Sequence, residues 1–228
     1  MEAKTENKLI SIPNHSKQPM LSLSGFVKKY PSGFEVAIDH LELTRGIHLI
    51  LGGNGSGKST LLKALAGIHP AKGEVLLGGT SLKSQPLEYR RKIGFSAAEP
   101  MFPEYLNLHD LISVVAKAKQ SAATEISELK RILDLEDFLT FPIGGYSSGM
   151  LKKSSLLLAF MGNPELVILD EPFTTIDSKT QAQLVQLIGQ RAKQGTSFLI
   201  TSHQSGPVEL LPVSSVLYMR SGKLASNE

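Results

Sequence analysis

The sequence predicts an α/β fold: a phosphate-binding core on a mainly parallel sheet, an antiparallel β subdomain and a helical subdomain. Three observations carry this. Residues 52 to 60 read Gly-Gly-Asn-Gly-Ser-Gly-Lys-Ser-Thr, with the apolar run Ile47 to Leu51 before them and a helical pattern, Leu61 to Ala66, after. That is a strand, a Gly-rich turn and a helix in the order of a P-loop. Leu166 to Leu169 and Phe198 to Thr201 are short runs of the kind found in strands buried on both faces of a parallel sheet. Met20 to Phe26 and Phe34 to Leu43 instead alternate apolar and polar, most clearly at Phe34, Val36 and Ile38, as a half-buried antiparallel pair does.

The remaining elements follow in chain order. Residues 1–19 are polar, carry Pro13 and Pro19, show no periodicity and read as a loose tail before a single domain spanning 20–228. Tyr30-Pro31-Ser32-Gly33 is the turn of the alternating pair. Glu74 to Leu77 and Ile93 to Phe95 are short strands, and Gly78-Gly79 and Ser221-Gly222 are hairpin turns. A helical insertion occupies about 100–160. Leu106 to Ile112 opens a helix, Ile126, Leu129, Ile132 and Leu133 fall at helical spacing, and a further helix covers roughly Leu151 to Met161. Asp177 is an N-cap for a helix reaching Gln194, with Gly195 as its stop. Val216 to Leu224 closes as a terminal hairpin.

Composition sets limits. Of 228 residues, 41% are hydrophobic and 20% charged, the balance of a globular chain able to bury a core. There is no Cys, which excludes disulfides and thiolate metal sites. A net charge of +3 without blocks of like charge gives no argument for nucleic acid, and none is expected as a partner. No apolar stretch approaches the ~20 residues that span a bilayer, and no secretory leader is evident at the N-terminus. The expected location is the cytoplasm.

The P-loop residues have separate tasks. Gly52, Gly53, Asn54, Gly55, Ser56 and Gly57 form a loop whose glycines let backbone N–H groups close around phosphate. Lys58 sets an ammonium on the β- and γ-phosphates, the Ser59 hydroxyl is placed for Mg²⁺, and Thr60 can bond an α-phosphate oxygen. The N-terminus of the following helix adds its positive dipole end. A nucleoside triphosphate and Mg²⁺ are therefore the expected ligands. Asp170-Glu171 ends the strand Leu166 to Leu169, at the edge where parallel sheets bind ligands. Asp170 is assigned to the metal and Glu171 to general-base activation of water. His203 follows the next buried strand, near the same phosphate edge, where a donor to the γ-phosphate is useful. Tyr146-Ser147-Ser148-Gly149-Met150 precedes a helix. It reads either as an ordinary Ser/Gly cap or as a second anion contact.

The order of these motifs (P-loop, helical insertion, Ser-Ser-Gly-Met, Leu-Asp-Glu-Pro, Thr-Ile-Asp, Ser-His) resembles the nucleotide-binding domain of ATP-binding cassette (ABC) transporters, over about residues 20 to 225. The aromatic-Ser-x-Gly-Met form of the signature resembles drug-, peptide- and sodium-exporter-type cassettes. The resemblance implies an ATP hydrolase that powers a separate integral membrane permease, exporting rather than importing, from the inner face of the membrane. It implies Tyr30 as the adenine-stacking aromatic and Asp177 as the D-loop aspartate. It also implies a head-to-tail pair of cassettes, in which Ser147 and Gly149 of one touch ATP held by the other. A permease coupling helix would dock around Glu99 to Asp110. Three positions depart from the family pattern: Ala98 where the Q-loop glutamine belongs, Ser148 at the first signature glycine, and Thr174-Thr175-Ile176-Asp177 as the D-loop. Ala98 is the main support for an alternative, an ATP-dependent clamp with slow turnover.

Overall fold

A computed structural model describes residues 19–202 and 206–225. Its framework is two sheets. The first is antiparallel, in the order β2-β1-β4-β5, from β1 (Leu21–Lys29), β2 (Glu35–Leu43), β4 (Lys72–Leu77) and β5 (Thr80–Ser81). The second runs β10-β9-β3-β8-β7-β6. It comprises β3 (Ile47–Leu51), β6 (Ile93–Ser96), β7 (Leu166–Leu169), β8 (Ser197–Ser202), β9 (Ser215–Arg220) and β10 (Lys223–Ala225). All its pairings are parallel except β9 with β10, the terminal hairpin turned by Ser221-Gly222. The predicted fold class is what the chain adopts.

Continuous apolar runs became central strands because both their faces are covered. Along β7, Val167 and Leu169 face one core, while Leu166 and Ile168 face another. Phe198 and Ile200 of β8 join the first core and Leu199 the second. The first core is closed by α3 (Leu108–Lys119), α4 (Ala123–Ile132), α5 (Ser148–Phe160) and α6 (Ser178–Lys193). The second is closed by α1 (Lys58–Leu65) and the inner face of the antiparallel sheet, through Leu21, Leu23, Val36 and Leu61. Each such fully buried aliphatic side chain contributes roughly 1.5–3 kcal/mol.

Some elements differ from expectation. In β1 the buried set passes from Leu21 and Leu23 to Phe26, and in β2 from Val36 and Ile38 to Leu41 and Leu43. Both strands change phase at one level, where a bulge at Gly25 (φ 58°) interrupts the pairing of β1 with β4. The helix α2 (Pro86–Arg91) was not foreseen, since six residues are too few to show a helical period. Helix α5 begins at Ser148, not near Leu151: the Ser147 hydroxyl accepts the Met150 N–H at 3.2 Å and starts the helix three residues early. Helix α6 matches its prediction, from N-cap Asp177 to C-cap Gln194, with Gly195 at φ 102°.

Candidate functional site

The strand β3 delivers the loop 52–57 into α1, and the geometry of that junction depends on glycine. Gly57, the N-cap of α1, sits at φ 109°. A Cβ there would lie 2.9 Å from Val36 Cγ2 and 3.0 Å from Met219 Cε. Among the described residues no side chain caps α1, which leaves the N–H groups of its first turn open to a ligand. The Lys58 ammonium, only 7% exposed, folds back on the loop and donates to Gly52 O at 2.6 Å and Gly53 O at 3.3 Å. It also stands 3.9 Å from Glu171 Oε1. The Ser56 hydroxyl is buried with no hydrogen-bond partner among the described residues.

The end of β7 brings the acids to the same place. Asp170 is buried, and its Oδ1 accepts from the Thr201 hydroxyl at 2.7 Å. That hydroxyl in turn accepts the Glu171 N–H at 2.9 Å, so one threonine on β8 fixes both acids. Asp170 Oδ2 is buried without a partner among the described residues. A buried carboxylate oxygen left in this way is costly unless something else binds it. Glu171 holds φ 47° and Thr175 φ 62°, both left-handed for non-glycine residues, an arrangement that concentrates at functional loops.

These groups line one cavity of about 800 Å³, walled by Gly53 to Thr60, Asp170, Glu171, Thr174 and Thr175, with Ala98 and Glu99 on a further side. Ser32 and Phe34 of the β1–β2 turn complete it. Tyr30 is not among the lining residues. Its hydroxyl lies 3.4 Å from Thr60 Oγ1, its ring is tilted against Phe34 at 6.4 Å between centroids, and Lys28 Nζ stands 5.2 Å from its ring. Phe34 is the aromatic that pattern reading passed over, because its place in the β2 alternation already accounted for it. His203 lies outside the described residues.

Ser147 and Gly149 do not line this cavity; they belong to the first turn of α5. Gly149 is packed so closely that a Cβ would come within 2.8 Å of Thr175 O. The next turn points inward. Lys152 is wholly buried, and its ammonium donates to Ala97 O at 2.7 Å, Ala98 O at 3.0 Å and Asp170 O at 2.9 Å. Burial pushes its pKa down to about 8, against the opposing pull of Asp170, Glu171 and Glu99. Lys153 reaches Asp177 Oδ2 at 3.1 Å. The Asp177 carboxylate caps α6, accepting from Thr180 N at 2.9 Å and Thr180 Oγ1 at 2.8 Å. Those bonds, and then Lys153, hold its pKa well below the usual carboxylate range. Neither Lys152 nor Thr201 was identified from sequence; Lys152 stands in a Lys-Lys-Ser-Ser run that carries no local sign of burial.

Comparison with known proteins agrees with this geometry. The family profile described as "ABC transporter" matches residues 40–174, more than half of the chain. The cytochrome c biogenesis ATP-binding export protein CcmA of Legionella pneumophila is 33% identical over 170 residues, covering 74% of this chain and 84% of that protein. The O-antigen export system ATP-binding protein RfbE of Yersinia enterocolitica is 30% identical, covering 77% of this chain and 72% of that protein. Among solved structures, an ATP-binding subunit of an ABC transporter superposes with a TM-score of 0.79 at 24% identity, covering 91% of this chain and 90% of that one, a likeness of fold.

Proposed function

The chain belongs to the ABC transporter family as one of its ATP-binding, ATP-hydrolysing cassettes, and from that premise we propose that it powers a separate membrane permease in an export-type system. Among the described residues no helix is long and apolar enough to cross a membrane, and in this reading a partner supplies the translocation path. Export is supported by likeness to CcmA and RfbE, both named as export ATP-binding proteins, and by the Ser-Ser-Gly-Met signature. The cassette then works in the cytoplasm, held at the inner face of the membrane by the permease, and pairs with a second cassette. The observation that carries the reading is the single cavity in which the P-loop, Lys58, Asp170 and Glu171 converge.

Each residue has a role consistent with its surroundings. The γ-phosphate is attacked in line by water, and its bond to the β-bridging oxygen breaks. Lys58 exchanges the loop carbonyls for β- and γ-phosphate oxygens, because charge-assisted bonds to phosphate are stronger than those to neutral carbonyls. The N–H groups of residues 55–60 hold the rest of the triphosphate. Glu171 orients the water and takes its proton. Asp170 Oδ2, buried and without a partner among the described residues, and the Ser59 hydroxyl are oxygen donors lining the same cavity and would hold Mg²⁺. Bound there, Mg²⁺ supplies neutralisation of charge on the β- and γ-phosphates. His203 donates to the γ-phosphate. Phe34, which lines the cavity, supplies the apolar wall for the adenine, with Tyr30 packed beside it. Ser147 and Gly149 serve ATP held by the opposite cassette.

The test is Mg²⁺-dependent ATP hydrolysis by the purified chain beside Glu171→Gln. We expect turnover that falls about 10²- to 10⁴-fold in the variant while ATP binding persists. Negligible turnover in both, with ATP bound and the permease present, would overturn hydrolysis in favour of a clamp.

A further inference from the structure

Among the described residues, Lys152 is the one buried cation that the proposed chemistry leaves without a task beside the reacting edge. It lies in the second turn of α5, yet all three of its N–H bonds go to backbone carbonyls outside that helix. Two belong to the loop after β6, at Ala97 and Ala98; the third is Asp170, at the end of β7. A buried ammonium is expensive to desolvate, and an apolar side chain of similar volume often packs as stably. Packing alone therefore does not explain a lysine here.

The joined pieces matter because both wall the nucleotide cavity: Ala98 and Glu99 on one side, Asp170 and Glu171 on another. The loop has little else to define its position, since neither Ala97 nor Ala98 carries a polar side chain. Helix α5 meets the same edge twice more, through Gly149 against the Thr175 carbonyl and through Lys153 with Asp177. A tilt of α5 therefore moves the loop and the acids together.

We infer that Lys152 is a positioning residue, locking the Ala97–Ala98 loop to the Asp170 end of β7 and coupling the helical region to the catalytic pair. It stands in for a side-chain anchor that Ala98 cannot provide. Its effect on turnover rests on the hydrolysis reading above, whereas its hold on the loop does not.

The experiment is Lys152→Met, which keeps an unbranched chain only one atom shorter but removes all three donors. Two quantities are read. Without nucleotide, the amides of residues 97–99 should exchange with solvent deuterium faster than in wild type. With ATP, kcat should fall about 10- to 100-fold, as is usual for loss of an outer-shell partner, while KM changes little. Unchanged exchange with unchanged kcat would overturn the assignment. So would kcat, ATP affinity and thermal midpoint all falling together, the signature of general destabilisation. If the Met variant does not fold, Lys152→Gln, which keeps two N–H donors, is read by the same criteria. A wild-type chain without turnover would overturn the hydrolysis reading, and the exchange comparison, made without ATP, would still decide the lock.

Discussion

Two segments of this chain have nearly the same local chemistry and different structural standing. Residues 52–60 and residues 147–150 are both Ser- and Gly-rich, and both lead into helices. At the first, the N-cap is a left-handed glycine and no side chain among the described residues caps the helix. Its surroundings supply the other walls: a lysine folded across the loop, two acids from β7 and an aromatic from the β1–β2 turn. At the second, Ser147 caps its own helix by accepting the Met150 N–H, and neither Ser147 nor Gly149 lines the cavity. A helix N-terminus becomes a binding site when its N–H groups are left unpaired and the tertiary fold encloses them. The first segment finds its walls within one chain. The second finds none there, and in the proposed pairing it would face the nucleotide of the opposite cassette.

The comparison can be broken or sharpened, starting with the largest effect. Lys58→Ala should weaken ATP binding by two orders of magnitude or more, on the order of 3 kcal/mol, as expected for loss of a charged partner to phosphate. Calorimetric titration of the isolated chain measures it, and unchanged affinity would mean the loop is not the phosphate site. In the same titration Phe34→Ala should cost about 1 kcal/mol by loss of ring contact; if Tyr30→Ala costs more, the adenine lies against Tyr30 instead. Ser147→Ala should leave that affinity intact. It should lower hydrolysis most at low protein concentration, where pairing limits the rate, and remove about 1 kcal/mol of stability with the cap. A matching loss of affinity in the isolated chain would place Ser147 in the chain's own site.

The smallest effect concerns Asp177. Its folded pKa is depressed below the reference value of 3.8, by Thr180 first and Lys153 after it. The unfolded chain therefore binds the proton more readily, so the stabilisation is complete above about pH 4 and is lost as pH falls toward the folded value. Asp177→Ala should cost about 1 kcal/mol near neutrality, the usual size for a cap. Chemical denaturation of both proteins across pH 3 to 7 should show that gap closing at the acid end. A gap independent of pH would mean the carboxylate charge contributes nothing to the cap.

Much of this architecture is legible along the chain. The P-loop is recognisable because its requirements are local: positive φ, close backbone approach and a lysine at fixed spacing all lie within nine residues. The acids Asp170 and Glu171 are recognisable because an apolar run buried on both faces must end where the sheet meets solvent. The cap Asp177 and stop Gly195 are recognisable because their hydrogen bonds close within one turn. Lys152 is different. Beside Lys153 it looks like half of a solvated pair, yet Lys153 meets Asp177 at the surface while Lys152 turns wholly inward. Thr201 is similar: as a strand residue it is unremarkable, and only pairing of β7 with β8 sets its hydroxyl between Asp170 Oδ1 and the Glu171 N–H.

The sequence by itself indicated the fold class, the P-loop motif with Lys58, Ser59 and Thr60, the acid pair and the approximate place of most helices and strands, because each follows from patterns among residues a few positions apart. Tertiary structure alone decided that Phe34 and Ala98 line the cavity, that Thr201 holds both acids, and that Lys152 ties three distant carbonyls together. Those contacts join residues from 30 to 55 positions apart in the case of Thr201 with Glu171 and Lys152 with Ala97. Such contacts form only when hydrophobic burial has stacked the sheet between its two cores, and no local pattern carries that information.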